Sequence, residues 1–153
     1  MTTKLYLDLN IYNRPFDDQR QARIRLETSA ILILFGLLES GQYEAHWSFV
    51  LDYENSRNPV VDRAATIGRL ALVCKHTTVP SDDIRALAHK LADLSSITAL
   101  DALHLACAET GHCDYFVTCD DRLTRQAQQL VQNGQVQVKA INPVDLLRRE
   151  ALG

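Results

Sequence analysis

Short apolar runs alternate with longer segments of helical period along this chain. "KLYLD" at 4–8, "HTTVP" at 76–80, "YFVT" at 115–118 and "VQVKAI" at 136–141 predict strands. Between them the period is helical. From Arg20 to Ser40, Ile24, Ile31, Leu34, Phe35 and Leu38 share one stripe, with Gly41 as a stop. Pro59 can open a helix at 59–74. Ser81 caps "DDIRALAHKLADL", whose acids fall in the first turn, where the helix dipole favours them. "ITALDALHLACAETG" at 97–111 predicts another helix, closed by Gly111. "DDRLTRQAQQLV" predicts a helix ending near Asn133 and Gly134, and "NPVDLLRRE" starts a last helix with Pro143 near its first position. The stretch 43–55 fits a strand or a helix, and "NRP" after Asn10 predicts a loop. Alternation of this kind predicts an α/β fold with a mainly parallel sheet covered on both faces.

Composition narrows the setting. The 153 residues, 46% of them apolar, predict one domain spanning 1–153. Six glycines and four prolines leave little room for extended linkers. A net charge of -3 argues against a broad basic face, although a local basic rim or a bound cation can still offset phosphate charge. The most apolar run, "AILILFGLL" at 30–38, has nine residues. A membrane span needs about 20, so this run predicts a buried helix. "MTTKLYLDLN" has no apolar signal core, and Cys74, Cys107, Cys113 and Cys119 form no C-x-x-C pair, so a cytoplasmic chain with reduced thiols is expected.

The predicted architecture carries a functional expectation. In open α/β sheets, ligands bind beyond the carboxyl ends of the strands. Asp8 ends the first strand, Asp120 and Asp121 follow "YFVT", and Asp101 lies in the first turn of a helix that starts on that same side. Each acid also has an ordinary reading. Asp8 can solvate a strand end, Asp101 can complete a capping box with Thr98, Asp120 can be an N-cap, and Glu54 can be a surface acid. Together they repel one another, and a divalent cation is the natural neutraliser. Oxygen donors suit Mg²⁺ or Mn²⁺, and two such ions about 4 Å apart can activate water and stabilise a leaving oxygen.

The motifs "YLDLNIY", "VLDYENSR", "TALDALHLACA" and "YFVTCDDRL" occur in that order on alternating strands and helices. In this the chain resembles the PIN-domain ribonucleases, VapC-like toxins among them. The resemblance implies a three-layer α/β/α fold and a Mg²⁺- or Mn²⁺-dependent endoribonuclease that hydrolyses RNA without a covalent enzyme intermediate. It implies that Asp8, Glu54, Asp101 and Asp120 hold the metal, with Asn10 and Thr118 assisting. Asp121 is a candidate for a further contact, and Asp52 is an alternative to Glu54. The implied partners are an RNA substrate, a small antitoxin and a second copy of the chain.

Other chemistries fit less well. His104 and Cys107, three apart on a helix, could share zinc, but His112, Cys113 and Cys119 complete no zinc spacing. A phosphoacceptor receiver domain would use an acid, a threonine and a lysine such as Lys139, yet it leaves Asp101 and Asp120 unexplained. Asn10 rules out an Asp-x-Asp phosphohydrolase, and no Gly-x-Gly-x-x-Gly follows the first strand. The non-enzyme alternative is a PIN-like module that binds RNA or a protein without cleaving it.

Overall fold

The computed structural model describes residues 2–150; Met1 and residues 151–153 of the expected domain lie outside the described residues. Five parallel strands form one sheet in the order β3-β2-β1-β4-β5. They are β1 (Thr3–Leu7), β2 (Tyr43–Ser48), β3 (His76–Thr78), β4 (Tyr115–Val117) and β5 (Lys139–Ile141). Helices connect them: α1 (Leu9–Asn13) and α2 (Ala22–Glu39) after β1, α3 (Phe49–Ser56) and α4 (Val61–Leu70) after β2, α5 (Asp82–Leu94) and α6 (Ala99–Thr110) after β3, α7 (Asp121–Gln132) after β4, and α8 (Pro143–Glu150) after β5. This is the three-layer α/β/α arrangement expected from the sequence.

The central strand shows why the sheet is parallel. Leu5, Tyr6 and Leu7 are all buried, so both faces of β1 pack against apolar layers. Leu5 pairs with Ala45 on one side and Tyr115 on the other. The chain winds outward from β1 through β2 to β3, then crosses back to β4 and β5. The direction of winding therefore reverses between β1 and β4, and the crevice at their carboxyl ends is the expected ligand position.

Four local readings change. The expected loop after Asn10 is helical from Leu9 to Asn13, followed by a 3₁₀ turn over Arg14–Phe16. Asp8 caps this helix by accepting from the Leu9 N–H, and burial of Leu9, Ile11 and Tyr12 holds it against the core. The ambiguous stretch at 43–55 divides at Ser48, the N-cap of α3, whose hydroxyl accepts from the Leu51 N–H. The helix expected from Pro59 to Cys74 runs from Val61 to Leu70 and then tightens into a 3₁₀ turn. The last strand begins at Lys139 rather than Val136, because the N–H groups of Gln137 and Val138 donate to the Glu109 carboxylate.

On α2 the apolar run is buried on one face only: Ala30, Ile31, Leu34 and Leu38 enter the core, while Leu32 and Ile33 are exposed. No helix among the described residues is long and apolar enough to cross a membrane.

Candidate functional site

The carboxyl ends of β1 and β4 meet through a small polar lock. Asp8 accepts from the Leu9 N–H at 2.8 Å, from the Thr118 hydroxyl at 2.8 Å and from the Asn10 amide at 3.2 Å. The same Asn10 amide donates to Thr118 Oγ1 at 3.1 Å, and Asn10 Oδ1 accepts from the Cys119 N–H at 3.0 Å. Thr118 Oγ1 in turn accepts from the Asp120 N–H. Asn10 and Thr118 thus fix the Asp8 carboxylate and start the turn that presents Asp120.

Asp8 is buried, and burial raises its pKa above the ordinary aspartate value. His104 and the Thr118 hydrogen bond oppose that shift, while Glu54 and Asp101 add to it. Asp101 is also shifted upward, first by burial and then by Asp120 and Glu54. Thr98 caps α6 by accepting from the Asp101 N–H at 3.1 Å, so the threonine side chain supplies the cap. Asp120 does cap α7, accepting from the Leu123 N–H through Oδ1.

A groove of about 690 Å³ opens at this edge, and Asp8, Glu54, Asp101 and Asp120 all line it. They come from the end of β1, the end of α3, the start of α6 and the turn after β4. The remaining candidates lie apart. Asp52 accepts from the Trp47 indole at 2.7 Å. Asp121 makes a two-pronged ion pair with Arg23, both contacts at 2.8 Å. Arg14 pairs with Asp17 and Glu27, a structural role.

The residue that sequence reasoning misplaced is His104. Its Nε2 donates to the Glu54 carboxylate, and its Nδ1 shares a hydrogen bond of 2.7 Å with the Tyr6 hydroxyl. Tyr6 makes a further 2.7 Å hydrogen bond to Ser48. A buried chain therefore runs Ser48–Tyr6–His104–Glu54 from the core to the groove. Burial works against a charged imidazole, but the Glu54 hydrogen bond and the charges of Asp8, Glu54 and Asp101 outweigh it and leave the His104 pKa raised. Two sequence signals pointed here: Tyr6 and Asp8 are two apart at the end of one strand, and Asp101 and His104 are three apart on one helix.

Ligand atoms of Asp8, Glu54 and His104 lie within 4.8 Å of one another. Both His104 nitrogens already have protein partners, so the carboxylates are the donors a cation would find. Of the four predicted acids this close group holds Asp8 and Glu54, while Asp101 and Asp120 line the same groove outside it; the carboxylate oxygens are donors that fit a hard divalent ion. The zinc reading loses its pair. Cys107 is fully buried, and burial pushes its thiol up to about 12, far from a ready thiolate ligand.

No family model and no curated protein matches the chain. Among solved structures it is similar to a chain in the crystal structure of VapBC2 from Rickettsia felis bound to a DNA fragment from their promoter. The TM-score is 0.54 at 12% identity, over 92% of this chain and 98% of that one. At that identity the likeness is one of fold: the chain shares with its VapBC2 counterpart the PIN-like α/β/α arrangement that its motifs lead one to expect.

Proposed function

We propose that the chain is a Mg²⁺- or Mn²⁺-dependent endoribonuclease acting as the toxin of a toxin–antitoxin pair. One observation carries this reading. Asp8, Glu54, Asp101 and Asp120 arrive from four separate segments at one groove, at the point where the sheet reverses its winding. The VapBC2 likeness supports the toxin assignment by fold.

A divalent ion, when bound, supplies the positive charge that lowers the pKa of water and steadies the departing oxygen of a phosphodiester. The four carboxylates would hold it. The chain's own residues do the rest. Asn10 and Thr118 keep the Asp8 carboxylate in one orientation, and His104 does the same for Glu54. Asp120 is exposed at the mouth of the groove, where it can accept a proton from an incoming water. In this reading a small antitoxin blocks the groove, the chain pairs with a second copy, and both work in the cytoplasm.

The deciding experiment incubates purified protein with RNA in Mg²⁺, in Mn²⁺ and in excess EDTA, beside Asp8→Asn. Cleavage in either metal, lost in EDTA and in Asp8→Asn with unchanged circular dichroism, is the expected result. Cleavage that persists in EDTA overturns the metal reading. RNA binding with no cleavage in either metal makes the chain a PIN-like binding module.

A further inference from the structure

One side chain outside the groove grips the turn that presents Asp120. Arg23 lies in the first turn of α2. Its Nη1 and Nη2 donate to the two carboxylate oxygens of Asp121, both at 2.8 Å, and Nη2 also donates to the Cys119 carbonyl at 3.3 Å. Cys119 and Asp121 are the residues on either side of Asp120. The fork therefore holds both neighbours of Asp120, and Arg23 itself does not line the groove.

The guanidinium is anchored in its turn. Its Nε donates to Glu27, four residues further along α2, at 3.2 Å. Glu27 is only 2% exposed, and a buried carboxylate is costly unless it is paired. It meets Arg14 at 3.3 Å and accepts from the Asn142 amide at 2.6 Å. Asn142 follows β5, and the last residue of that strand, Ile141, accepts from the Thr118 N–H at 3.0 Å. The base of the clamp thus ties α2 to the strand ends from which the Asp120 turn departs.

The ties of the turn divide at Asp120. Before it, Ile141 holds Thr118 and the Asn10 side chain holds Cys119. After it, the tie from Asp121 to another element is Arg23. A planar guanidinium on a carboxylate fixes direction as well as distance, which an ammonium does not. Both partners are 55% exposed, so the pair adds little to stability. Its geometry matters more, because misplacing a reacting group by about 1 Å costs on the order of 100-fold.

We infer that Arg23 is a positioning residue: by gripping Cys119 and Asp121 it sets the Asp120 carboxylate for the cation, and Asp121 is the handle for that grip rather than a ligand. This rests on the nuclease reading in taking Asp120 as one of the acids that hold the metal.

Two measurements on the full chain test it, neither of them cleavage. Amide exchange in EDTA follows the Leu123 N–H, whose acceptor is Asp120 Oδ1, and titration calorimetry follows Mn²⁺. In Arg23→Ala the Leu123 amide is expected to exchange at least about tenfold faster. Mn²⁺ is expected to bind it about 10–100-fold more weakly, the usual loss when a group that orients a ligand is removed. The melting temperature in EDTA is expected to fall by less than about 4 °C. Arg23→Lys, which keeps the charge without the fork, is expected to recover only part of the affinity. Arg23→Ala combined with Asp121→Ala is expected to bind Mn²⁺ as Arg23→Ala alone does, since the two residues act as a unit. Arg20→Ala, which removes an equal charge from an exposed pair with Asp18, is expected to match wild type in both measurements.

In a protein that binds Mn²⁺, unchanged affinity in Arg23→Ala, or full recovery in Arg23→Lys, overturns the positioning role. So does an equal loss in Arg20→Ala, which makes the effect one of net charge. A double variant much weaker than either single one also overturns it, because Asp121 is then a ligand in its own right. Wild type that neither binds Mn²⁺ nor cleaves RNA removes the nuclease reading. The Leu123 exchange then decides alone: acceleration in Arg23→Ala upholds Arg23 as the clamp of this turn, and an unchanged rate overturns it.

Discussion

Both ends of the sheet carry acidic pockets, and they are built in opposite ways. At the amino edge a pocket of about 430 Å³ is lined by Glu109, Asp114 and Glu150, with His112 and Lys139 beside them. Each acid there joins a neighbouring segment. Glu109 accepts from the N–H groups of Gln137 and Val138, Asp114 accepts from the Lys4 N–H at 2.8 Å, and Glu150 accepts from the Tyr115 hydroxyl. At the carboxyl edge Asp8 is buried, and Glu54 and Asp101 push its proton affinity up further. The difference teaches that acid density does not mark a site. An acid whose role ends at a backbone donor is a fastener, as at the amino edge. At the carboxyl edge Asp8 and Asp120 also serve backbone donors, but Glu54 and Asp101 raise the proton affinity of the buried Asp8, and such a group could hold a cation.

Removing one acid from each edge tests that distinction most severely. Asp8→Asn or Asp120→Asn is expected to lower metal-dependent cleavage by about 10²–10³-fold or more, as loss of a main electrostatic contributor does, with the fold retained. Glu109→Ala is expected to cleave at the wild-type rate while losing about 1–3 kcal/mol of stability, because the Gln137 and Val138 donors lose their acceptor. Cleavage assays and urea melts on the same preparations read both. A Glu109→Ala protein that folds normally yet fails to cleave would erase the contrast between the edges.

The buried Ser48–Tyr6–His104–Glu54 chain gives the next effect. Among the described residues it has no counterpart at the amino edge, where acids meet their donors directly. If His104 holds the Glu54 carboxylate in place, His104→Leu should weaken Mn²⁺ binding about 10–100-fold, the usual cost of losing a group that orients a ligand. Titration calorimetry with Mn²⁺ measures this without reference to activity. Unchanged affinity in a folded His104→Leu protein would make the histidine a core residue only.

How legible all this was depends on the kind of signal. Much of the sheet was readable because strands such as β1 and β4 are short apolar runs between segments of helical period, whereas β2 stayed ambiguous within 43–55. Asp8, Asp101 and Asp120 were readable because strand ends and first helical turns fall on one edge of a parallel sheet; Glu54, at the end of α3, was reached only through the family resemblance. Two features were hidden for physical reasons. The Leu9–Asn13 helix follows β1 with no intervening loop, and only the capping bond from Leu9 to Asp8 and burial of Ile11 and Tyr12 reveal it. His104 read as a zinc candidate because a sequence shows helical spacing to Cys107 but not the tyrosine arriving from β1.

A pH series in EDTA sharpens the contrast through linkage. Asp8 and Asp101 have raised pKa values in the folded protein. Their contribution is fully present below the ordinary value of 3.8 and is lost as pH rises through the folded values. His104, raised above 6.5, acts with the same sign, and its contribution is lost on passing its folded pKa. His46, lowered to about 4 chiefly by burial, acts with the opposite sign between that value and 6.5. Comparison with Asp8→Asn removes the His46 contribution, which both proteins share. The melting temperature of Asp8→Asn minus that of wild type is therefore expected to increase as pH rises above 3.8 and to level off once Asp8 is ionised in the folded protein. A flat difference would mean that burial in the fold does not raise the Asp8 pKa.

The smallest effect concerns Asp101, where the two kinds of acid are hardest to separate. As an acid of the first helical turn it gains from the α6 dipole, and as a groove residue it faces Asp120 and Glu54. Like charges about 4 Å apart cost on the order of 1–4 kcal/mol, depending on the effective dielectric. The dipole contact is worth about 0.3–1 kcal/mol, and the cap itself comes from the Thr98 hydroxyl, which Asp101→Asn leaves in place. Repulsion therefore wins or balances. Asp101→Asn is expected to melt at or above the wild-type temperature in EDTA, where each kcal/mol moves a chain of this size by about 2–4 °C. Added Mn²⁺ should then raise wild type more than the variant, because a cation that binds only the folded state stabilises the protein that binds it better. Four melts decide the matter: both proteins, each with EDTA and with Mn²⁺. If Asp101→Asn is clearly less stable in EDTA and gains as much from Mn²⁺ as wild type does, Asp101 is a fastener like Glu109, and the cation belongs to the other three carboxylates alone.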